Sequence, residues 1–252
     1  MCKVAEISMS KKIYKHNPII RGHFTDASGL IPHDQQKAIA LGEFEMDLFD
    51  VIYFHAQQNL WHADPDMLDY VTLDMRYSDI KKFMGIRSND FKAMVVDALT
   101  KLKTTDIVFK TFQYESGRIE KNLHISLINH FAEEVNFDPD IFSVDLNPIM
   151  SRSIAHRNGN FTFLDLTKKK RLSGKYTKRL YEWLLSMKQI SKEARINLDD
   201  TNKLFGMEES DFKQANRVLK RSYDQLNEMV PFTYTYDRSK KELVFSFLKK
   251  GE

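Results

Sequence analysis

Apolar and polar residues along this chain follow the same succession of rhythms twice. From Glu43 to about Leu60, Phe44, Leu48, Val51, Ile52 and His55 fall at offsets of 0, 4, 7, 8 and 11, which puts them on one face of a helix. Tyr176, Leu180, Trp183, Leu184 and Met187 repeat those offsets. After the first of these helices the pattern predicts a short strand over Tyr70 to Met75. A helix follows over Ser78 to Met84, with Ser78 as N-cap and Gly85 as its stop. Ser88 is then expected to cap a longer helix whose inner stripe is Phe91, Val95, Ala98 and Leu102. The second copy offers Leu198-Asp199, Leu204-Phe205-Gly206 and Ser210-Asp211-Phe212-Lys213 in the places of Leu73-Asp74, Phe83-Met84-Gly85 and Asn89-Asp90-Phe91-Lys92. Its long helix has Phe212, Leu219 and Tyr223 inward; Asn216 falls on the stripe, so a slight rotation is expected to turn Ala215 in and leave Asn216 outside.

Each copy closes with alternating runs around a polar turn, Ile107 to Tyr114 with Leu123 to Ile128, and Phe232 to Tyr236 with Leu243 to Leu248. A short helix, a longer helix and a hairpin in that order make a winged helix-turn-helix, whose second helix enters a DNA groove. The predicted fold is therefore α+β, two tandem winged helix-turn-helix domains, over residues 1–156 and 157–252. Residues 133 to 160 are the least regular. There, Phe142 to Leu146 reads as a further strand of the first module, and the interdomain connection is expected near His156 to Asn160.

Charge divides the chain at the same place. Residues 1–156 hold 17 Lys and Arg against 22 Asp and Glu, a net of −5, whereas residues 157–252 hold 21 against 13, a net of +8. Phosphate contact is thus expected mainly in the second module, leaving the first for self-association and auxiliary contact. Cys2 is the single cysteine, which excludes an intramolecular disulfide framework, and no run is long and apolar enough to span a bilayer. A cytoplasmic protein without a membrane partner is expected. The 11 Met and 18 Phe follow the amphipathic spacing and read as core.

Candidate DNA-binding residues form four groups. The run Lys168, Lys169, Lys170 and Arg171, with Lys175 and Lys178 after it, stands at the start of a helix, where free amides favour an anion. On the long helix of the second module, Lys213, Gln214, Asn216, Arg217, Lys220 and Arg221 bring the side-chain types that read base edges, Arg for guanine and Asn or Gln for adenine. The turn Asp237 to Lys241 presents Arg238, Lys240 and Lys241 for the backbone or minor groove. Asn89 and Lys92 are the weaker counterparts in the first module, beside the acidic Asp97.

No catalytic constellation stands out. Ser173-Gly174-Lys175-Tyr176 lacks the first glycine and the hydroxyl of a nucleotide-binding loop. His124 and His130 are six residues apart, and His55 and His62 lack companion ligands, so neither a metal nor another cofactor is expected.

Across nearly its whole length the chain resembles the replication initiator family of iteron-containing, theta-replicating bacterial plasmids. Tyr176-Thr177-Lys178-Arg179-Leu180-Tyr181-Glu182-Trp183-Leu184 carries the most specific match. Asn17-Pro18-Ile19-Ile20, Phe142 to Pro148, Arg217-Val218-Leu219-Lys220, Leu226-Asn227-Glu228 and Val244-Phe245-Ser246-Phe247 support it. The resemblance implies a non-enzymatic initiator that binds direct repeats in double-stranded origin DNA, opens an AT-rich segment and engages host replication initiator and helicase proteins. It also implies a homodimer in equilibrium with the monomer, and base readout from Lys213, Gln214, Asn216 and Arg217. A winged-helix transcriptional repressor and a DNA-nicking replication enzyme are the alternatives the residues leave open.

Overall fold

The computed structural model describes residues 11–28, 36–60, 63, 71–113, 117–155 and 160–248. Tyr70, Tyr114 and most of the expected interdomain connection, 156–159, lie outside the described residues. The chain begins with β1 (Lys12–His16), α1 (Asn17–Arg21), β2 (His23–Asp26) and β3 (Ala38–Ile39). The first module proper follows as α2 (Glu43–Leu60), β4 (Val71–Arg76), α3 (Tyr77–Met84), α4 (Phe91–Lys103), β5 (Thr105–Gln113) and β6 (Ile119–Ser126). After β7 (His130–Ala132), β8 (Ile141–Leu146), α5 (Pro148–Ala155), β9 (Phe161–Asp165) and α6 (Leu166–Lys169), the order recurs. It runs α7 (Lys175–Lys188), β10 (Glu193–Asn197), α8 (Leu198–Phe205), α9 (Phe212–Asn227), β11 (Phe232–Asp237) and β12 (Glu242–Phe247).

The duplication seen in the residue pattern is a duplication of structure. Gly85 and Gly206 both end their helices in the left-handed conformation, at φ of 65° and 58°, and both amides return to the carbonyls three and four residues back. Such a cap is cheap only for a residue without a Cβ. Phe91, Val95, Ala98 and Leu102 of α4 are buried, as are Phe212, Ala215, Leu219 and Tyr223 of α9; Ala215 is turned in as expected, whereas Asn216 is half-buried and not left outside.

Local details differ from expectation in instructive ways. Ser78 does not cap α3; the helix starts at Tyr77, and Asp140 acts from outside, accepting from the Ser78 amide at 3.0 Å and its hydroxyl at 2.6 Å. Ser88 likewise precedes a helix that begins only at Phe91, and its hydroxyl accepts the Asp90 amide in a local turn. In the second module, Asp211 is a true N-cap, accepting from the Gln214 amide at 2.9 Å.

Sheet topology separates the two copies. In the second module β10 joins the wing in the order β10-β12-β11, whereas in the first β4 is taken by β8 and β7 and the wing β5-β6 is extended by β2 and β3. Phe142, Val144 and Leu146 of β8 are buried, with Met75 opposite Phe142 and Leu73 opposite Val144. The extra strand expected over Phe142 to Leu146 is therefore present, and it takes the place beside β4 that the wing takes beside β10.

The modules share an interface that neither builds alone. β1 and β9 form a two-stranded antiparallel sheet, pairing Lys12 with Asp165 and His16 with Phe161. Beneath it α2 and α7 meet, and α8 packs on β2 and β3. At that last contact a Cβ on Gly206 would come within 2.0 Å of the Ile39 backbone. Glycine is thus required there for a close approach as well as for its φ.

Candidate nucleic-acid interface

The α9 surface is built by its own amphipathicity. With Phe212, Ala215, Leu219 and Tyr223 held in the core, Lys213, Gln214, Arg217, Lys220 and Arg221 are exposed on the opposite side. Spacings of three and four residues make these five one continuous, cationic face centred on Arg217. Asn216 lies on the border between this face and the buried stripe. It is half-buried, and its Oδ1 has no hydrogen-bond partner among the described residues. It faces a groove of about 510 Å³ between α9 and β11, shared with Phe212, Lys213, Tyr234, Tyr236 and Arg238. A buried acceptor left unsatisfied is costly.

The wing tip is locally stiffened. Asp237 accepts from the amides of Ser239 and Lys240 and from the Ser239 hydroxyl. These hydrogen bonds, with Arg195 beside it, pull its carboxyl down to about 2. Arg195 in turn is braced by Glu193, Asp237 and Glu242. The turn holds Arg238, Lys240 and Lys241 exposed at one end of the groove's outer strand, and Lys241 sits at a positive φ of 54°.

The basic run before α7 divides. Lys168, Lys170 and Arg171 are exposed, and the Lys170 ammonium lies against the Gly85 turn of the first module. Lys169 and Lys178 are corrections to the sequence reading: each is only 1% exposed, so neither side chain is presented to DNA. Lys169 is paired with Asp50 of α2 and Glu182 of α7, and Lys178 with Asp47 at 2.6 Å and Glu43 at 2.9 Å. Nor is the start of α7 vacant for a phosphate, because the Gly174 amide donates to the Glu43 carboxylate at 2.9 Å. Lys175 is half-buried, with its ammonium over the Tyr176 ring.

Residues from both modules build the resulting buried network. Lys15 of β1 reaches Asp50 and Glu182 at 2.8 Å each, and Arg179 adds a contact to Glu182 at 3.4 Å and donates to the Gly22 carbonyl. Burial works to raise the Glu182 carboxyl, but Lys15, Lys169 and Arg179 override it and hold it well below the usual range. For Lys169 burial works downward and the two carboxylates prevail, raising it. Uncompensated, any of these charges would be very expensive at this depth.

In the first module Asn89 is exposed before α4, and Lys92 is exposed but engaged. Its ammonium donates to the Pro139 carbonyl at 3.3 Å and lies 5.2 Å from the Tyr77 ring centroid. Asp138 and Asp140 stand beside it, paired with Arg76. The exposed cationic face is thus concentrated in the second module. Sequence reasoning missed Arg195, Tyr234 and Tyr236; the Tyr-Thr-Tyr alternation after Phe232 marked a strand but not which of its faces borders α9.

Two winged helices joined through a charged interface, one of them displaying a basic long helix and wing, define a DNA-binding protein of the tandem winged-helix class. The sequence profile described as "Initiator Replication protein, WH1" matches residues 27–185. The chain belongs to this initiator replication protein family. Comparison with curated protein sequences finds no match. Among solved structures, the chain is similar to the Pi initiator protein crystallised with iteron DNA, with a TM-score of 0.60 and 15% identity over 98% of this chain and 100% of that one. It is also similar to domains 2 and 3 of RctB, with a TM-score of 0.52 and 13% identity over 86% of this chain and 85% of that one. Among the described residues no helix is long and apolar enough to cross a membrane.

Proposed function

We propose that this initiator acts by binding short direct repeats in double-stranded origin DNA, with α9 in the major groove and the β11–β12 turn on the flanking backbone. The observation that carries this reading is the cationic face of Lys213, Gln214, Arg217, Lys220 and Arg221, exposed on the helix that occupies the recognition position of the fold. Family membership and the likeness to a fold that binds iteron DNA support it. Lys168, Lys170 and Arg171, near the junction, supply further phosphate contact, Lys175 a partial one, and Asn89 and Lys92 an auxiliary contact from the first module.

The division of labour between residues 1–156 and 157–252 belongs to the same proposal: self-association and auxiliary contact in the first, principal recognition in the second. So do opening of an adjacent AT-rich segment and engagement of host replication initiator and helicase proteins. Footprinting the purified protein on the DNA flanking its gene, across a salt series, tests the reading. Regularly spaced protection without strand cleavage, weakening with a slope of about −0.9 per phosphate contacted, is the expected result. Protection of one promoter palindrome alone would replace the initiator by a repressor, and cleavage with a covalent protein adduct would replace it by a nicking enzyme.

A further inference from the structure

The two helix-turn-helix motifs are tied to the opposite half of the chain at equivalent points. The Gly85 turn leads into α4, and the Lys170 ammonium of the second half lies against it. The Gly206 turn leads into α9, and the Ile39 backbone of the first half is packed against it. Whatever holds the two halves together therefore also sets where α4 stands relative to α9.

The centre of that junction is a closed ring of charge. Lys15 reaches Asp50 and Glu182 at 2.8 Å each, and Lys169 reaches the same two carboxylates. Lys15 and Asp50 come from the first half, Lys169 and Glu182 from the second, and all four side chains are at most 4% exposed. Each carboxylate is thus shared between a lysine of its own half and a lysine of the other. Apolar contact is non-directional and tolerates sliding. A buried ion does not, because a displacement of a few ångströms leaves it out of water and without its counter-charge. The ring therefore closes in one relative placement of the halves.

We infer that this ring is a gauge: it fixes the distance and angle between α4 and α9, and so the number of base pairs separating the two stretches of duplex that one copy accepts. B-form DNA turns by about 34° and rises by about 3.4 Å per base pair. Two extra base pairs between those stretches rotate one of them by about 70° and shift it by about 7 Å, and halves held in one placement cannot follow both. Lys15, Asp50, Lys169 and Glu182 are buried, so they are positioning residues that act through the two helices. For its effect on DNA the inference rests on the auxiliary contact proposed for the first module, whereas the hold on the two helices is independent of that contact.

The test uses the full chain with the single cysteine removed as C2S and spin labels introduced through K103C and D224C, at exposed positions of α4 and α9. Pulsed dipolar spectroscopy gives the distribution of distances between the labels. Affinity is measured with unlabelled protein on the footprinted repeat, on the repeat with two base pairs inserted at its centre, and on a control lengthened by two base pairs at one end. K15M/D50N is the informative variant, because it removes one charge of each sign and leaves Lys169 and Arg179 paired with Glu182. We expect one narrow distribution with the ring intact and a distribution at least twofold broader in K15M/D50N. The central insertion should weaken binding of the wild type at least tenfold relative to the control duplex, and of the variant less than threefold. Loss of folded protein alone would lower affinity for every duplex by the same factor and leave that ratio unmoved. A broad distribution with the ring intact overturns the inference whether or not the variant folds. So do a distribution as narrow in the variant, equal insertion penalties in the two proteins, and a wild type indifferent to the insertion. If no duplex binds, the proposed function fails on its own, while the label distances still decide whether the ring holds the helices.

Discussion

Two lysines one residue apart, Lys168 and Lys169, show how much the position of a charge matters. Leu166, Lys169 and Leu172 are all buried and spaced by three, so Lys169 shares the inner face of its short helix while Lys168 points to solvent. Lys169→Ala should leave Asp50 and Glu182 with fewer counter-charges and lower unfolding stability by about 3 kcal/mol, measured by denaturant titration. Lys168→Ala should leave that titration unmoved and instead reduce the slope of DNA affinity against salt by about one contact. The reverse pattern would mean that the run faces DNA through Lys169 after all. Arg217, at the centre of the α9 face, is the residue whose truncation should matter most for binding. Arg217→Ala is expected to cost about 1–3 kcal/mol in affinity for the protected repeat, roughly 5- to 150-fold in Kd. Its circular dichroism and thermal midpoint should stay those of the wild type, because the side chain is exposed on the outer face of α9.

At the level of elements, Gly85 and Gly206 are equivalent in the repeat but not in their surroundings. An alanine at 85 meets the flexible end of Lys170 and suffers chiefly from its φ, a cost of about 1–2 kcal/mol. At 206 the same φ penalty is joined by collision with the Ile39 backbone, and overpacking adds about 1–3 kcal/mol more. Thermal denaturation should therefore rank Gly206→Ala well below Gly85→Ala, and equal losses would show that β3 yields. The contrast marks what was legible in the sequence. Helix faces, the two left-handed stops, the extra strand at Phe142 to Leu146 and the wing turns are set by local patterns, so they could be read. Pairing of β1 with β9 and capture of β4 by β8 depend on partners that only the folded chain brings together. The same limit hid the fate of Lys178. The first half of α7 is buried on nearly every side because α2 covers the face that a lone winged helix would leave in water, so Lys178 reads as a DNA contact until Glu43 and Asp47 stand opposite it. A glutamate and two aspartates at 43, 47 and 50 carry a helical spacing of their own, and that stripe was the one available signal.

For the molecule as a whole, these contacts make the two modules titrate together. His23 on β2 is partly buried near the junction. Burial first, and then the positive charges of Lys203, His124, Arg179 and Lys110, bring it down to about 4. Lys203 and Arg179 belong to the second module, so part of that depression exists only while the modules are docked. In the unfolded chain a histidine titrates near 6.5. Between pH 6.5 and 4 the unfolded state therefore binds more protons than the folded one, and the stability that neutral His23 preserves above pH 6.5 is lost as the pH falls through this window. Asp47 acts in the opposite sense, because burial, opposed by Lys178, leaves its carboxyl raised and so favours the folded state on acidification. The net slope also carries His55, which burial lowers, and the carboxyls of Glu43 and Glu182, which are held low, so the comparison that isolates His23 is with His23→Gln, which keeps a polar side chain but cannot take up the proton. Thermal midpoints measured from pH 7 to 4.5 should fall less steeply for His23→Gln than for the wild type. Parallel curves would mean that His23 is hydrated in solution and that the cations of the second module do not act on it. A shallower curve would tie the acid sensitivity of the whole chain to the interface through which its acidic and basic halves are held.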